Sequence, residues 1–118
     1  MNILDENVPE SQRVLLQTGR IPVRQIGQDV GRMGMKDDAI IPLLHHLDRP
    51  TFFTLDCDFY LRSLCHERYC LVHLNIDEDL VAEYVRRMLH HGVLNTKSKR
   101  MGLVIRILPT AMTAWQIK

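Results

Sequence analysis

A run of strand-forming residues that ends in acids constrains the fold of this chain more than any other feature. Residues 52–55 suit a strand buried on both faces, and Asp56 and Asp58 follow directly. Continuous runs of this kind are typical of parallel sheets that helices cover on both sides. Ligands of such sheets bind just outside the carboxyl ends of the strands. We therefore expect Asp56 and Asp58 to face a cleft rather than the core.

The rest of the chain alternates between strand and helix patterns. We predict strands over residues 2–4, 23–26, 52–55, 70–74, 103–108 and 111–117, and helices over residues 9–19, 37–47, 59–66 and 80–89. Pro42 lies inside the second helix, where it removes a backbone donor, so we expect a kink or a late start there. Alternating strands and helices predict one α/β domain over residues 1–118, with a mostly parallel sheet between two layers of helices.

The composition is that of an ordinary globular domain, with 46% hydrophobic and 25% charged residues. No apolar run approaches the length of a membrane span, and Met1 leads directly into the first predicted strand. We therefore expect no signal peptide, no membrane association and a cytoplasmic location. The cysteines are odd in number and lack zinc-ligand spacing, so they are interpreted as buried or idle thiols.

Charge is unevenly distributed, although the net charge is only +1. Residues 1–83 carry −6, whereas the chain from Tyr84 onward has no acid and carries +7, including Lys118. A cation site and a polyanion surface on one molecule would explain this pattern, and so would simple pairing of the two parts. Lys97, Lys99 and Arg100 are the candidates for phosphate contacts, unless they form only a solvated, mobile loop.

Acids at strand and helix ends are the candidate functional residues. Asp5 and Asp56 follow two strands, Asp37 begins a helix over the same edge of the sheet, and Asp58 lies close by. Carboxylates held together repel one another, so such a cluster is tolerated mainly around a cation, and oxygen ligands favour Mg²⁺ or Mn²⁺. The expected chemistry is phosphodiester hydrolysis. Capping is the alternative role for Asp37 or Asp38, and a turn or cap role is the alternative for Asp58.

Three motifs in these regions carry a family resemblance. Residues 5–9 read DENVP, residues 34–40 place Gly34, Asp37 and Ile40 as G-x-x-D-x-x-I, and residues 54–59 read TLDCDF. In order and spacing they resemble the short PIN-like domains of unknown function, which carry D-E-N-x-P, G-x-x-D-x-x-I and T-x-D-x-D-F motifs. The resemblance covers about residues 2–60. The short first strand and Pro42 depart from the family pattern.

The resemblance implies a PIN-like three-layer α/β/α sandwich and a site for Mg²⁺ or Mn²⁺ formed by Asp5, Asp37 and Asp56, with Asp58 as a fourth residue. It also implies ribonuclease activity like that of the toxins in bacterial toxin-antitoxin pairs, with RNA as substrate and an antitoxin protein as a partner. The alternative is a catalytically silent PIN-like module that binds RNA or a protein. Trp115, on the last predicted strand, is interpreted as a core residue or part of a homodimer interface.

Two other families with paired acids fit less well. A phosphorelay receiver needs Ser or Thr after the fourth strand and Lys after the fifth, where this chain has Asn75 and the pair Leu108-Pro109. Phosphatases of the haloacid dehalogenase type place a D-x-D motif on the first strand, with Thr or Val two residues later. Tyr60 stands at that later position here, so both families are rejected.

Overall fold

A six-stranded sheet forms the centre of the structure, a computed structural model that describes residues 1–117 and leaves Lys118 outside. The strands are β1 (Asn2–Leu4), β2 (Arg24–Gln25), β3 (Thr51–Thr54), β4 (Cys70–Leu74), β5 (Leu103–Ile107) and β6 (Met112–Gln116). They lie in the order β2-β1-β3-β4-β5-β6, and every pair is parallel except the antiparallel pair of β5 and β6. The predicted mostly parallel sheet is therefore confirmed.

Four helices connect the strands: α1 (Glu10–Thr18), α2 (Asp37–His46), α3 (Val81–His90) and α4 (Lys97–Arg100). The prediction of one helix over residues 59–66 was wrong, because that region forms two 3₁₀ turns, Cys57–Phe59 and Arg62–Leu64. The prediction of a loop at residues 97–100 was also wrong. The Thr96 hydroxyl accepts the Lys99 N–H at 3.3 Å and caps a single helical turn there. Helix α2 begins at Asp37 with Pro42 inside it, so the late start did not occur.

Alternating residues of the strands pack into two hydrophobic clusters, one on each face of the sheet. One cluster joins strand residues to helices α1 and α3 through Leu4, Phe53, Val72, Ile105, Leu16 and Val85. The other joins strand residues to helix α2 through Ile3, Phe52, Leu71, Val104, Ile40 and Leu44. Helices thus cover both faces of the sheet, and burial of these side chains stabilises the fold.

The order of the strands reverses between β1 and β3. From β1 the chain moves outward to β2, and it then crosses back to place β3 on the other side of β1. In sheets of this doubly wound kind, ligands bind beyond the carboxyl ends of the strands at the point of reversal. Leu4 pairs with Phe53, so the residues that follow β1 and β3 are brought to the same place.

Strand β6 lies at one edge of the sheet, and all five of its residues are exposed. Of the helices within residues 1–117, none is both long and apolar enough to cross a membrane.

Candidate acidic site at the carboxyl edge of the sheet

The hydroxyl of Thr54 joins the ends of β1 and β3. Its Oγ1 donates to Asp5 Oδ2 at 2.6 Å and accepts the backbone N–H of Asp56 at 3.0 Å. A further bond, from the Asp5 N–H to the Phe53 carbonyl at 2.9 Å, extends the pairing of the two strands by one residue. The ends of the two strands are therefore joined through Thr54, which contacts the side chain of Asp5 and the backbone of Asp56.

Asp5 is buried, with only 6% of its surface exposed, and does not stand free in a cleft as expected from its position. Burial is the main cause that raises the pKa of Asp5 above its usual value. The hydrogen bonds from the Thr54 hydroxyl and the Glu6 N–H lower this pKa, and the charges of Asp56 and Glu6 raise it again. Donors on both carboxylate oxygens favour the ionised form of Asp5, whereas its burial opposes ionisation.

Asp37 lies in the first turn of α2 and is exposed. The residue at the cap position is Lys36, and no side chain makes a capping hydrogen bond, so the capping role considered for Asp37 or Asp38 is wrong. Partial burial is the main cause that raises the pKa of Asp37, and the negative charges of Asp56, Asp58, Asp5 and Asp38 raise it further. The charges of these acids thus act on one another, and we call the four predicted site acids the acidic cluster: Asp5, Asp37, Asp56 and Asp58. Within residues 1–117, the group whose ligand atoms lie close enough to share one metal ion contains Asp56 and Asp58 but neither Asp5 nor Asp37.

Asp56 and Asp58 line the outer side of the acidic cluster. Asp56 is half-buried and caps the first 3₁₀ turn, since its Oδ1 accepts the Asp58 N–H at 2.9 Å. Asp58 is exposed inside that turn and does not cap it. One ligand atom each from Asp56, Cys57 and Asp58 lie within 4.8 Å of one another. The Cys57 thiol is an additional group at this point that the sequence did not indicate as part of a site.

A buried amide fixes the loop that carries Asp5. Gln25, at the end of β2, is almost fully buried, and its Nε2 lies 3.0 Å from the Asp5 carbonyl and 2.9 Å from the Val8 carbonyl. The Glu6 carboxylate accepts the Gly34 N–H, with both oxygens at 3.0 Å, and so ties the same loop to the segment before α2. Sequence reasoning missed both contacts; the only signal was a glutamine at a position predicted to be a buried strand.

A cation borders the acidic cluster without pairing to it. Arg106 on β5 donates from Nε to Nδ1 of His73 on β4 at 3.1 Å, which requires a neutral His73 with its proton on Nε2. Burial, and then the charge of Arg106, lower the pKa of His73, while the Leu55 backbone and the Asp56 charge raise it. Within residues 1–117, no carboxylate of the acidic cluster forms a salt bridge. Among the described residues, its carboxylates therefore have no cationic side chain in direct contact.

The predicted phosphate-binding residues lie at the opposite edge of the sheet. Arg100 is 7% exposed, and it donates to Thr51 Oγ1 at 2.9 Å and to the Leu94 carbonyl at 2.8 Å. Thr51 begins β3 and Thr54 ends it, so these residues are about 10 Å from the acidic cluster. Buried donors such as those of Arg100 are not free to meet phosphate. Lys97 and Lys99 are accessible, and their role stays a prediction.

Comparison of the chain with protein-family models, with curated proteins and with solved structures found no match. The resemblance to PIN-like domains therefore stays a prediction, and the function of the site has to be inferred from its own residues.

Proposed function

We propose that this protein is a divalent-metal ribonuclease of PIN-like type and that the acidic cluster holds Mg²⁺ or Mn²⁺. The observation that carries the proposal is the connection through Thr54, which joins the buried carboxyl group of Asp5 to the backbone of Asp56. Burial of a carboxyl group beside other carboxylates costs free energy, and groups perturbed in this way occur most often at functional sites. The position of the cluster at the reversal of strand order supports the same conclusion.

The side chains of the cluster suit a hard cation. The donors are carboxylate oxygens, which Mg²⁺ and Mn²⁺ prefer, and no lysine, arginine or histidine of residues 1–117 pairs with them. Each oxygen of Asp5 accepts one hydrogen bond and so keeps a lone pair for a ligand. Asp37, Asp56 and Asp58 are accessible enough to meet a hydrated ion.

In the proposed hydrolysis the residues of the chain have separate tasks. A bound divalent ion would activate water and offset the charge that develops on the phosphate. Asp5 supplies a fixed anionic anchor because Thr54 and Glu6 hold its oxygens. Asp58, exposed beside Asp56, orients the attacking water and accepts its proton. Arg106 places a positive charge next to the cluster for the RNA phosphate.

The second candidate is a catalytically silent module that binds RNA or a protein partner. The hydrogen bond from the Asp58 N–H to the Asp56 carboxylate favours this candidate, because capping the 3₁₀ turn is a structural role that requires no metal. An antitoxin partner and a homodimer stay predictions under either function. The exposed strand β6 would offer a second copy an open sheet edge.

The deciding experiment is thermal unfolding with and without Mn²⁺ for the wild type, Asp56→Asn and Asp77→Asn. Asparagine caps as well as aspartate does, so Asp56→Asn keeps the turn and removes only the charge. Asp77 caps the 3₁₀ turn Glu78–Leu80 by the same contact, with Oδ1 accepting the Asp79 N–H at 3.0 Å, but it lies outside the acidic cluster. It is therefore the matched control.

We expect Mn²⁺ to raise the melting temperature of the wild type and of Asp77→Asn, because a ligand of the native state stabilises it by mass action. Asp56→Asn should show little rise, no RNA cleavage, and an equal or higher melting temperature without metal. No rise in any of the three proteins would refute the metal site and favour the silent module. Unfolding of Asp56→Asn alone would show that the Asp56 charge is structural.

A further inference from the structure

Aromatic and cationic side chains form a patch of exposed and half-buried residues on β5, β6 and the region of the two 3₁₀ turns. The rings of Tyr60 and Trp115 stack with centroids 6.2 Å apart and planes 30° apart, and the Tyr60 hydroxyl bonds Thr113 Oγ1 at 2.9 Å. Trp115 is 39% exposed, an uncommon degree for the one tryptophan of a small domain. We call Tyr60, Arg62, Arg106 and Trp115 the aromatic patch.

Two guanidinium groups lie against these rings. Cζ of Arg62 is 5.7 Å from the Trp115 ring, and Cζ of Arg106 is 4.1 Å from the Tyr60 ring. Both distances are those of cation–π contacts. Within residues 1–117 neither arginine forms a salt bridge, so their charge is available to an anionic ligand.

The aromatic patch lies beside the acidic cluster. Tyr60 follows Asp58 by two residues, and Arg106 pairs with His73 of β4, which in turn pairs with Thr54 at the end of β3. Thr113 pairs with Arg106 across β5 and β6, which puts the Tyr60 contact near the same edge of the sheet as the acids. A strand of nucleic acid crossing the patch would therefore pass next to the proposed metal site.

We infer that the aromatic patch binds single-stranded RNA, with a base stacked on the exposed Trp115 ring, which Tyr60 supports, and with phosphates against Arg62 and Arg106. Stacking on exposed aromatic rings together with cations along the backbone is how proteins bind single strands, and paired bases cannot stack in this way. The inference rests on the proposed ribonuclease function, because it names the form of the RNA presented to the acidic cluster. An acidic segment of a protein would also match the arginine charges, but it has no bases to stack on an exposed aromatic ring.

Binding is tested on the Asp56→Asn protein in EDTA, so that neither metal nor cleavage takes part. Trp115 is the single tryptophan of the chain, so its fluorescence reports contact with the patch directly. The probes are a short oligoadenylate, the same strand in a duplex, and heparin as a polyanion without bases. The added variants are Arg62→Ala, Tyr60→Phe and Tyr60→Leu, and Arg86→Ala is the control, since Arg86 is an exposed arginine of α3 on the other face.

We expect oligoadenylate to quench Trp115 fluorescence and to bind at least about fivefold more tightly than the duplex or heparin. Arg62→Ala and Tyr60→Leu should each weaken binding by about fivefold or more, whereas Tyr60→Phe and Arg86→Ala should change it by less than about twofold. Equal binding of all three probes, or equal effects of Arg62→Ala and Arg86→Ala, would overturn the inference.

The binding test and the metal test can fail independently of each other. Quenching by oligoadenylate in a protein that gains no stability from Mn²⁺ would support the aromatic patch and remove the nuclease. Cleavage by a wild type whose Trp115 does not respond to RNA would overturn the patch and leave the nuclease in place.

Discussion

The two ends of strand β3 hold buried charges of opposite sign in different ways. At the amino end, Thr51 accepts a hydrogen bond from Arg100, and the Leu94 carbonyl accepts another. At the carboxyl end, Thr54 donates to Asp5, and the charges of Asp56 and Glu6 raise the pKa of this carboxyl group. The cation is therefore satisfied by neutral acceptors, whereas the anion accepts hydrogen bonds from Thr54 and Glu6 but also lies near other negative charges. Thr51 therefore supports the fold, whereas Thr54 helps to hold a negative charge in a place that favours a bound cation.

Arg100→Met should produce the largest loss of stability. It removes two hydrogen bonds and leaves the buried Leu94 carbonyl without its donor, which we expect to lower the free energy of unfolding by about 3 kcal/mol. Lys97→Met is the matched control on α4, since the Lys97 ion pair with Asp48 is at the surface and contributes little. Urea unfolding measures both. A loss that Mn²⁺ restores would contradict the assignment of Arg100 to structure alone.

Thr54→Val should have the next largest effect, because it keeps the shape of the side chain and removes the donor to Asp5. A hydrogen bond to a charged group contributes about 2 kcal/mol, so the free energy of unfolding should fall by about that amount. The Mn²⁺-dependent rise in melting temperature should also shrink, because Asp5 loses its orientation. Thr51→Val is the companion variant. An unchanged Mn²⁺ response in Thr54→Val would show that Thr54 does not organise the metal site.

Without metal, the stability of the protein should depend on pH because of the acids at the carboxyl end of β3. The pKa values of Asp5 and Asp37 are raised in the folded protein, mainly by burial, so the folded state binds protons more tightly than the unfolded chain. The resulting stability is complete below the unfolded pKa of about 4 and is lost as pH rises through the folded values.

We therefore expect these two acids to lower the melting temperature as pH increases above about 4 without metal. The decrease should be smaller in Asp5→Asn and smaller with Mn²⁺ present. Melting curves recorded over a pH series with EDTA or Mn²⁺ measure the effect. If the melting temperatures of the wild type and Asp5→Asn depend on pH in the same way, ionisation of Asp5 does not destabilise the folded protein.

Asp37→Asn should have the smallest effect, compared with Asp38→Asn in the same turn of α2. Both variants lose the favourable interaction of an acid with a helix N-terminus, which is about 0.3–1 kcal/mol. Only Asp37 is central to the proposed site, so its variant should be a few tenths of a kcal/mol more stable than Asp38→Asn without metal. It should also lose more of the Mn²⁺ response. Identical behaviour of the two variants would exclude Asp37 from the cluster.

Local patterns predicted the larger elements well. Strand β4 spans the predicted residues, and the alternation of strands and helices is enough to indicate a parallel sheet. The acids were identified because charge directly after a buried strand has few structural explanations. Residues 97–100 were missed as a helix because a single turn is too short to show helical periodicity.

Long-range contacts could not be predicted from the same patterns. Thr54 was part of a recognised motif, but its hydroxyl finds Asp5 49 residues away in the chain. Arg106 lies against Tyr60, 46 residues earlier in the chain, in a region where two 3₁₀ turns stand in place of the helix predicted over residues 59–66. The burial of Asp5 likewise depends on Gln25, which covers its loop from β2.

The parallel pairing of β1 and β3 also has a kinetic consequence. In the unfolded chain Asp5 and Asp56 are distant, and their repulsion arises only when a loop of about 50 residues closes and the two strands pair. A metal ion that needs both strand ends would stabilise the native protein and not the species that precede this pairing. We therefore expect Mn²⁺ to slow unfolding and to leave the refolding rate almost unchanged, because the ion binds only after β1 and β3 have paired.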